Sequence, residues 1–270
     1  MMLDSRFCVL IDGELRSTAR VALELAAPAL LSGAGLYETM RVSQGGVVHL
    51  ERHLERLRVS ASALNFPAPP EGGVLARECT RAATAAGEAL LRVTLLHLGR
   101  STQRVIQTEE LPADASKPVH LGWALPPFDG PRPLAQHKTM NGLSARLAFE
   151  AGQRMGFDEV LLRMPDGRIL EGTRSTFFLV KQGRLCTPPV LLPILPGITR
   201  EVLLAAAVRQ AIPVEERELT AADVLGAEEA FIAASVRGIR AVAALEHQAL
   251  PLVNGPVTRL LAEAVHASPA

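Results

Sequence analysis

Lysine is scarce here: Lys117, Lys138 and Lys181 stand alone among 28 basic residues, the rest being arginine. A guanidinium stays charged in proteins and cannot act as an amine nucleophile, so a lysine kept against that background is a candidate for its amine rather than its charge. Cysteine is equally scarce. Cys8, Cys79 and Cys186 are odd in number and share no CxxC spacing, which argues against a disulfide framework and a thiolate metal site and fits a reducing cytoplasm. Net charge is zero, whereas a nucleic-acid or anionic-membrane surface would normally leave a basic excess. No window approaches 18 uninterrupted apolar residues, so no membrane span is expected. Residues 1–20 place a short apolar strand between charges, which is not the pattern of a signal peptide.

What is present is a globular chain of 270 residues, 48% hydrophobic and 21% charged, long enough for one large domain or two ordinary ones. Residues 7–11 before Asp12-Gly13 and residues 36–42 before Gln44-Gly45-Gly46 read as strands running into turns. Leu50, Leu54, Leu57, Ala61 and Leu64 recur at helical spacing, and residues 74–86 suggest a second helix. Strands are expected at 90–98 and 119–125. Four prolines within residues 126–133 break any element, so the small N-terminal α/β domain is assigned to 1–125 and an inter-domain linker to 126–136. Lys138 follows directly, at a domain junction where small-molecule sites are favoured.

The remainder, 137–270, is assigned to a larger C-terminal domain. A helix is expected over 144–155 with Ser144 as N-cap. Asp166-Gly167 and Gln182-Gly183 each sit between strand-like runs, a hairpin signal. Further helices are expected over 199–211, 222–225 and 256–265, with a strand at 230–234.

Within that domain Glu171 lies on a strand just past a turn, where a carboxylate must reach solvent or find a partner. A protonated pyridine nitrogen is such a partner. Gly197-Ile198-Thr199 opens a helix whose first N–H groups suit a phosphate, although Thr199 also serves as a plain N-cap. An amine, a carboxylate and a helix start are together what pyridoxal 5'-phosphate requires. Other patterns fail. Gly33-Ala34-Gly35 lacks the third glycine of a dinucleotide loop, and His49 and His53 are read as two solvated helix histidines rather than zinc ligands. No metal site is expected.

The motifs Gly35-Leu36-Tyr37-Glu38-Thr39-Met40-Arg41, His53-Leu54-Glu55-Arg56-Leu57, Lys138-Thr139-Met140-Asn141, Glu171-Gly172-Thr173, Thr187-Pro188-Pro189, Leu195-Pro196-Gly197-Ile198-Thr199-Arg200 and Ser235-Val236-Arg237-Gly238-Ile239-Arg240 run in order along the chain. Together they resemble the class IV aminotransferases, the fold-type IV pyridoxal phosphate enzymes. The resemblance implies an α/β (α+β) fold of two domains, the second a pseudo-barrel, and a homodimer. It implies Lys138 as the Schiff-base lysine and Glu171 as the partner of the pyridine nitrogen. It further implies Arg56, Gly197, Ile198, Thr199 and Ser235 around the phosphate, Leu195 on the ring face, and Tyr37 facing substrate.

Gly142 stands where many branched-chain enzymes carry a tyrosine, and Ala234 replaces the asparagine of the lyase-branch run. Arg237 and Arg240 suit a dicarboxylate such as aminodeoxychorismate, and Arg92 or Arg100 can clamp a carboxylate. The favoured reading is therefore a 4-amino-4-deoxychorismate lyase. The alternatives are an aminotransferase acting on D-amino acids or on small apolar or branched-chain amino acids, and a cofactor-binding relative without turnover.

Overall fold

The computed structural model describes residues 8–16, 20, 22–68, 70–112, 117–125 and 133–266. The expected linker residues 126–132 and Phe7 lie outside these. The described residues divide into two compact units: those within 8–112 and 137–141 form the first, and residues 117–125, 133–136 and 142–266 the second.

The first unit contains β1 (Val9–Ile11), β2 (Glu14–Arg16), α1 (Pro28–Leu31), β3 (Gly35–Ser43), β4 (Gly46–Val47), α2 (Leu50–Ala63), α3 (Gly72–Ala86), β5 (Ala89–His97) and β6 (Thr102–Glu109). Its six strands are ordered β2-β1-β6-β5-β3-β4, and every pairing is antiparallel. Strand alternation gives the sheet two unlike faces. Leu36, Met40, Leu91, Val93 and Ile106 pack with Leu54, Leu57 and Ala61 of α2 and with Leu75 and Cys79 of α3. Each such large side chain contributes roughly 1.5–3 kcal/mol by its burial. The opposite face is half-buried and polar around Tyr37, Thr39, Arg92, Thr94 and Gln107, and buried and apolar where Val9, Ile11, Leu96 and Val105 cluster. That polarity is why β6 escapes a hydrophobic-pattern reading although it lies between β1 and β5.

The second unit contains β7 (Val119–Trp123), α4 (Leu143–Arg154), β8 (Glu159–Arg163), β9 (Ile169–Gly172), β10 (Thr176–Lys181), β11 (Arg184–Thr187), α5 (Ile198–Arg209), β12 (Val214–Glu216), α6 (Ala221–Leu225), β13 (Glu229–Ala234), β14 (Gly238–Leu245), β15 (Gln248–Ala249) and α7 (Pro256–His266). Its strands follow the order β12-β11-β10-β13-β14-β7-β8-β9, with β15 beside β14. β9 lies five places from β10 in that order, about 24 Å in a flat sheet, yet residues 173–175 connect them and extended chain spans only about 14 Å. The sheet must therefore curl, giving the expected pseudo-barrel. Phe177 and Leu179 of β10 join the cluster inside the curl, with Val119, Leu161, Ile232 and Val242. Their neighbours Phe178 and Val180 lie outside it, with Leu203 of α5 and Leu261 of α7.

Three expectations change. Val119–Trp123 pairs with β8 and β14, so it belongs to the second unit rather than to a domain ending at 125. Residues 137–141 join the first unit because Thr139 bridges Leu36 of β3, so Lys138 is not part of the C-terminal unit. The N-cap of α4 is Gly142 rather than Ser144, and no side chain caps it.

Candidate active site

Lys138 is placed by its neighbours' main chain. The Tyr37 N–H donates to the Lys138 carbonyl at 2.9 Å and the Met140 N–H to the Gly35 carbonyl at 2.8 Å, while His137 Nδ1 is hydrogen-bonded to Ser60 Oγ at 3.0 Å. The lysine thus lies along the start of β3, half-buried, with Nζ 4.7 Å from the Tyr37 ring centroid. Such a cation over an aromatic face is attracted by the ring quadrupole. The glycines of Gly33-Ala34-Gly35 permit this approach. A Cβ on Gly33 would fall 2.3 Å from Asn141 Oδ1, and φ there is +63°. A Cβ on Gly35 would fall 2.2 Å from Met140 Sδ.

Arg92 sits 5.7 Å from the Tyr37 ring centroid and forms an ion pair with Glu109 at 3.4 Å. Arg100 is exposed in the turn between β5 and β6. Of the two arginines considered for a carboxylate clamp, only Arg92 therefore joins Tyr37 and Lys138.

On the other face of β3 lies a group that sequence reasoning passed over. Glu38 is 1% exposed and accepts from His53 Nδ1 at 2.7 Å, Arg56 Nε at 2.8 Å and Arg56 Nη2 at 2.7 Å. Burial pushes the Glu38 carboxyl pKa upward, but the bonds from His53 and Arg56 and the Arg56 charge prevail, so it is lowered overall. His53 is consequently not a solvated histidine: it too is 1% exposed, and it lies on the packed side of α2 because Glu38 satisfies it there. The available signal was its spacing, four residues before Leu57 and seven before Ser60 on the stripe that faces β3. Among the described residues no cluster of three or more histidine, cysteine or acidic side chains is arranged to hold a metal.

The second unit gathers the remaining candidates. Glu171, 6% exposed at the end of β9, accepts from the Leu195 N–H at 3.2 Å. The turn after it is held by Glu159, also buried, which accepts from the Thr173 N–H at 3.2 Å and from Thr173 Oγ1 at 2.5 Å. Gly172 is needed there, since an added Cβ would meet Glu159 Cγ at 3.3 Å and Ser175 Oγ at 2.2 Å. Helix α5 starts from Gly197, which offers no side chain to cap its first turn. The amides of Ile198 and Thr199 are thus among the groups a helix leaves to an outside partner. Thr199 Oγ1 and Ser235 Oγ lie 3.3 Å apart. A Cβ on Gly197 would be 3.0 Å from Thr176 Oγ1. A side-chain-free helix start with two hydroxyls beside it is a fitting cradle for a phosphate, and a buried carboxylate is what a pyridinium N–H requires.

Arg237 and Arg240 do not both join this group. Arg237 is exposed. Arg240 stands opposite Ile232 and two residues from Val242, both in the cluster inside the curl, whereas α5 covers the other face. Its Nε is buried without a partner, and burial together with the Arg237 charge lowers its pKa, against the pull of Asp158 and Glu159. Alternation along β14 thus places Arg240 on the inner face of the curl.

The family model described as amino-transferase class IV matches residues 35–245. The chain belongs to the class IV aminotransferases. Members of this family use pyridoxal 5'-phosphate. Among curated relatives, the bifunctional aminodeoxychorismate lyase / D-amino acid transaminase of Mycobacterium tuberculosis is 27% identical over 284 residues, covering 96% of this chain and 98% of its own. A solved aminotransferase of M. tuberculosis in its PLP-bound form matches with TM-score 0.83 at 26% identity, covering 97% of this chain and 98% of the other. The branched-chain aminotransferase of Thermoproteus uzoniensis matches the class IV fold with TM-score 0.88 at 23% identity, covering 96% and 93% of the two chains. No helix among the described residues is long and apolar enough to cross a membrane.

Proposed function

We propose that this class IV aminotransferase is a 4-amino-4-deoxychorismate lyase, with transamination of D-amino acids as its second reading. The observation that carries the chemistry is the Lys138 amine held over Tyr37 in the first unit. The near full-length similarity to the bifunctional lyase and transaminase of M. tuberculosis supports the choice of reaction. So does Gly142, which leaves open space where many branched-chain enzymes place a tyrosine.

When bound, pyridoxal phosphate supplies the electron-accepting ring on which either outcome depends. The Lys138 amine would hold the group covalently through Nζ, and the same Nζ would serve as general base toward the proton on the substrate α-carbon. Tyr37 limits where that amine can rest. Glu171 would accept the hydrogen bond of the ring N–H and so favour its protonated form, an interaction of roughly 1.5–3 kcal/mol for a charged pair. In the second unit the Ile198 and Thr199 amides and the Thr199 and Ser235 hydroxyls would hold the cofactor's phosphate and Leu195 its ring; in the first unit Arg56 would carry the phosphate-binding guanidinium that the resemblance implies. Arg92 binds a substrate carboxylate in competition with Glu109. Assembly as a homodimer and a cytoplasmic location fit this reading.

The assay is direct. With aminodeoxychorismate and no keto-acid acceptor, pyruvate and 4-aminobenzoate should form in equal amounts. Absence of both, with amino-group transfer from a D-amino acid to a 2-oxo acid, selects the second reading. If neither reaction occurs in the loaded protein, a relative without turnover is the better description.

A further inference from the structure

We propose that Glu38 is a positioning residue for the cofactor phosphate, acting by fixing the guanidinium of Arg56; this rests on the phosphate-binding role proposed for Arg56. Tyr37 and Glu38 are consecutive on β3 and so point to opposite faces of the sheet. One face gives Lys138 its ring; the other gives Arg56 its carboxylate.

Stability alone does not account for a glutamate at this place. Its neighbours on the same face of β3 are Leu36 and Met40, and α2 brings Leu54 and Leu57 into the same cluster. Removing an ion pair from water costs several kcal/mol per charge, and an apolar filling of equal volume is often as stable or more so. What the carboxylate adds is orientation. Nε and Nη2 form one edge of the planar guanidinium, and both donate to Glu38, so rotation of the group about its stem is suppressed. His53, one helical turn before Arg56, donates to Glu38 Oε2 and keeps the carboxylate itself from turning.

The sign of the effect separates positioning from charge. By Coulomb's law alone a carboxylate beside Arg56 weakens the attraction for a phosphate, so removing its charge should tighten binding. If Glu38 acts through geometry, removing it should loosen binding.

The test is Glu38→Gln in the full-length protein, titrated with pyridoxal phosphate by absorbance and followed by the ³¹P resonance of the bound phosphate. Glutamine presents an amide N–H₂ to one of the guanidinium donors and cannot accept both. We expect at least a tenfold rise in Kd and a shifted ³¹P resonance, both measured below the melting temperature of the cofactor-free variant. Arg56→Gln should weaken binding as much or more, and the double variant should be no weaker than Arg56→Gln alone. Unchanged or tighter binding by Glu38→Gln, with Arg56→Gln weakened, overturns the inference and leaves the Arg56 role standing. Unchanged binding by Arg56→Gln overturns that role and the inference with it. Should Glu38→Gln not fold, Glu38→Asp retains the charge but is one methylene too short to reach both donors. It should show the same tenfold loss, and wild-type affinity in that variant overturns the inference.

Discussion

The two units hold their candidate groups by different means. In the first, main-chain bonds place the Lys138 backbone, but the guanidinium of Arg56 is held by the Glu38 carboxylate and the Lys138 amine lies over the Tyr37 ring, so each functional end meets a side chain. In the second, Glu171 is tied to a main-chain N–H and the phosphate cradle is the start of a helix. A group held by another side chain depends on that partner's ionisation and shape. A group held by main chain depends only on where an element begins or ends.

The largest expected effect is at Lys138, the one residue that does chemistry in either reading. Lys138→Ala should cost about 10⁴-fold in turnover, the upper end for loss of a general base, while the helix start and Glu171 in the second unit still hold pyridoxal phosphate in a dialysis or fluorescence assay. A variant that loses cofactor as completely as it loses rate would erase the division of labour between the units. Glu171→Gln comes next. It should lower turnover by roughly 10- to 100-fold, corresponding to one charge-assisted bond, with cofactor affinity changed much less. A change in affinity without a change in rate would assign Glu171 to holding rather than to chemistry.

The smallest expected effect concerns acid. Because the folded pKa of Glu38 lies below its unfolded value, its contribution to stability is complete above about pH 4.3 and is lost as the pH falls through the folded pKa. In the second unit, Asp223 caps α6, accepting from the Thr220 N–H and from Arg217. Burial raises its pKa, but those bonds outweigh it and hold the carboxyl at about 2. On lowering the pH toward 3, NMR should show Asp223 still ionised and the α6 cap intact. Thermal melts of the wild type should lose stability as the pH falls below about 4.3 and through the folded pKa of Glu38, a loss that Glu38→Gln does not show.

The same contrast explains what could be read beforehand. The motif at residues 195–200, the hairpin at Gln182-Gly183 and the helix over 50–63 are local, and each was legible. Both Gln182 and Gly183 have positive φ, as a two-residue hairpin turn requires. Glu38 was not legible as a functional residue, because its partners His53 and Arg56 lie 15 and 18 residues away on a different element. The glycines at 33 and 35 were seen and set aside, since the segment they admit, residues 138–141, is over a hundred positions downstream. The facing of Arg240 was not legible because β14, rich in small residues, did not declare itself as a strand.

The scarcity of lysine makes the decisive measurement simple. Borohydride reduction of the cofactor-loaded protein, followed by proteolysis and mass mapping, should place a pyridoxyl phosphate group on Lys138 alone. Label on Lys117 or Lys181, or an unmodified Lys138 in fully loaded protein, would contradict the account.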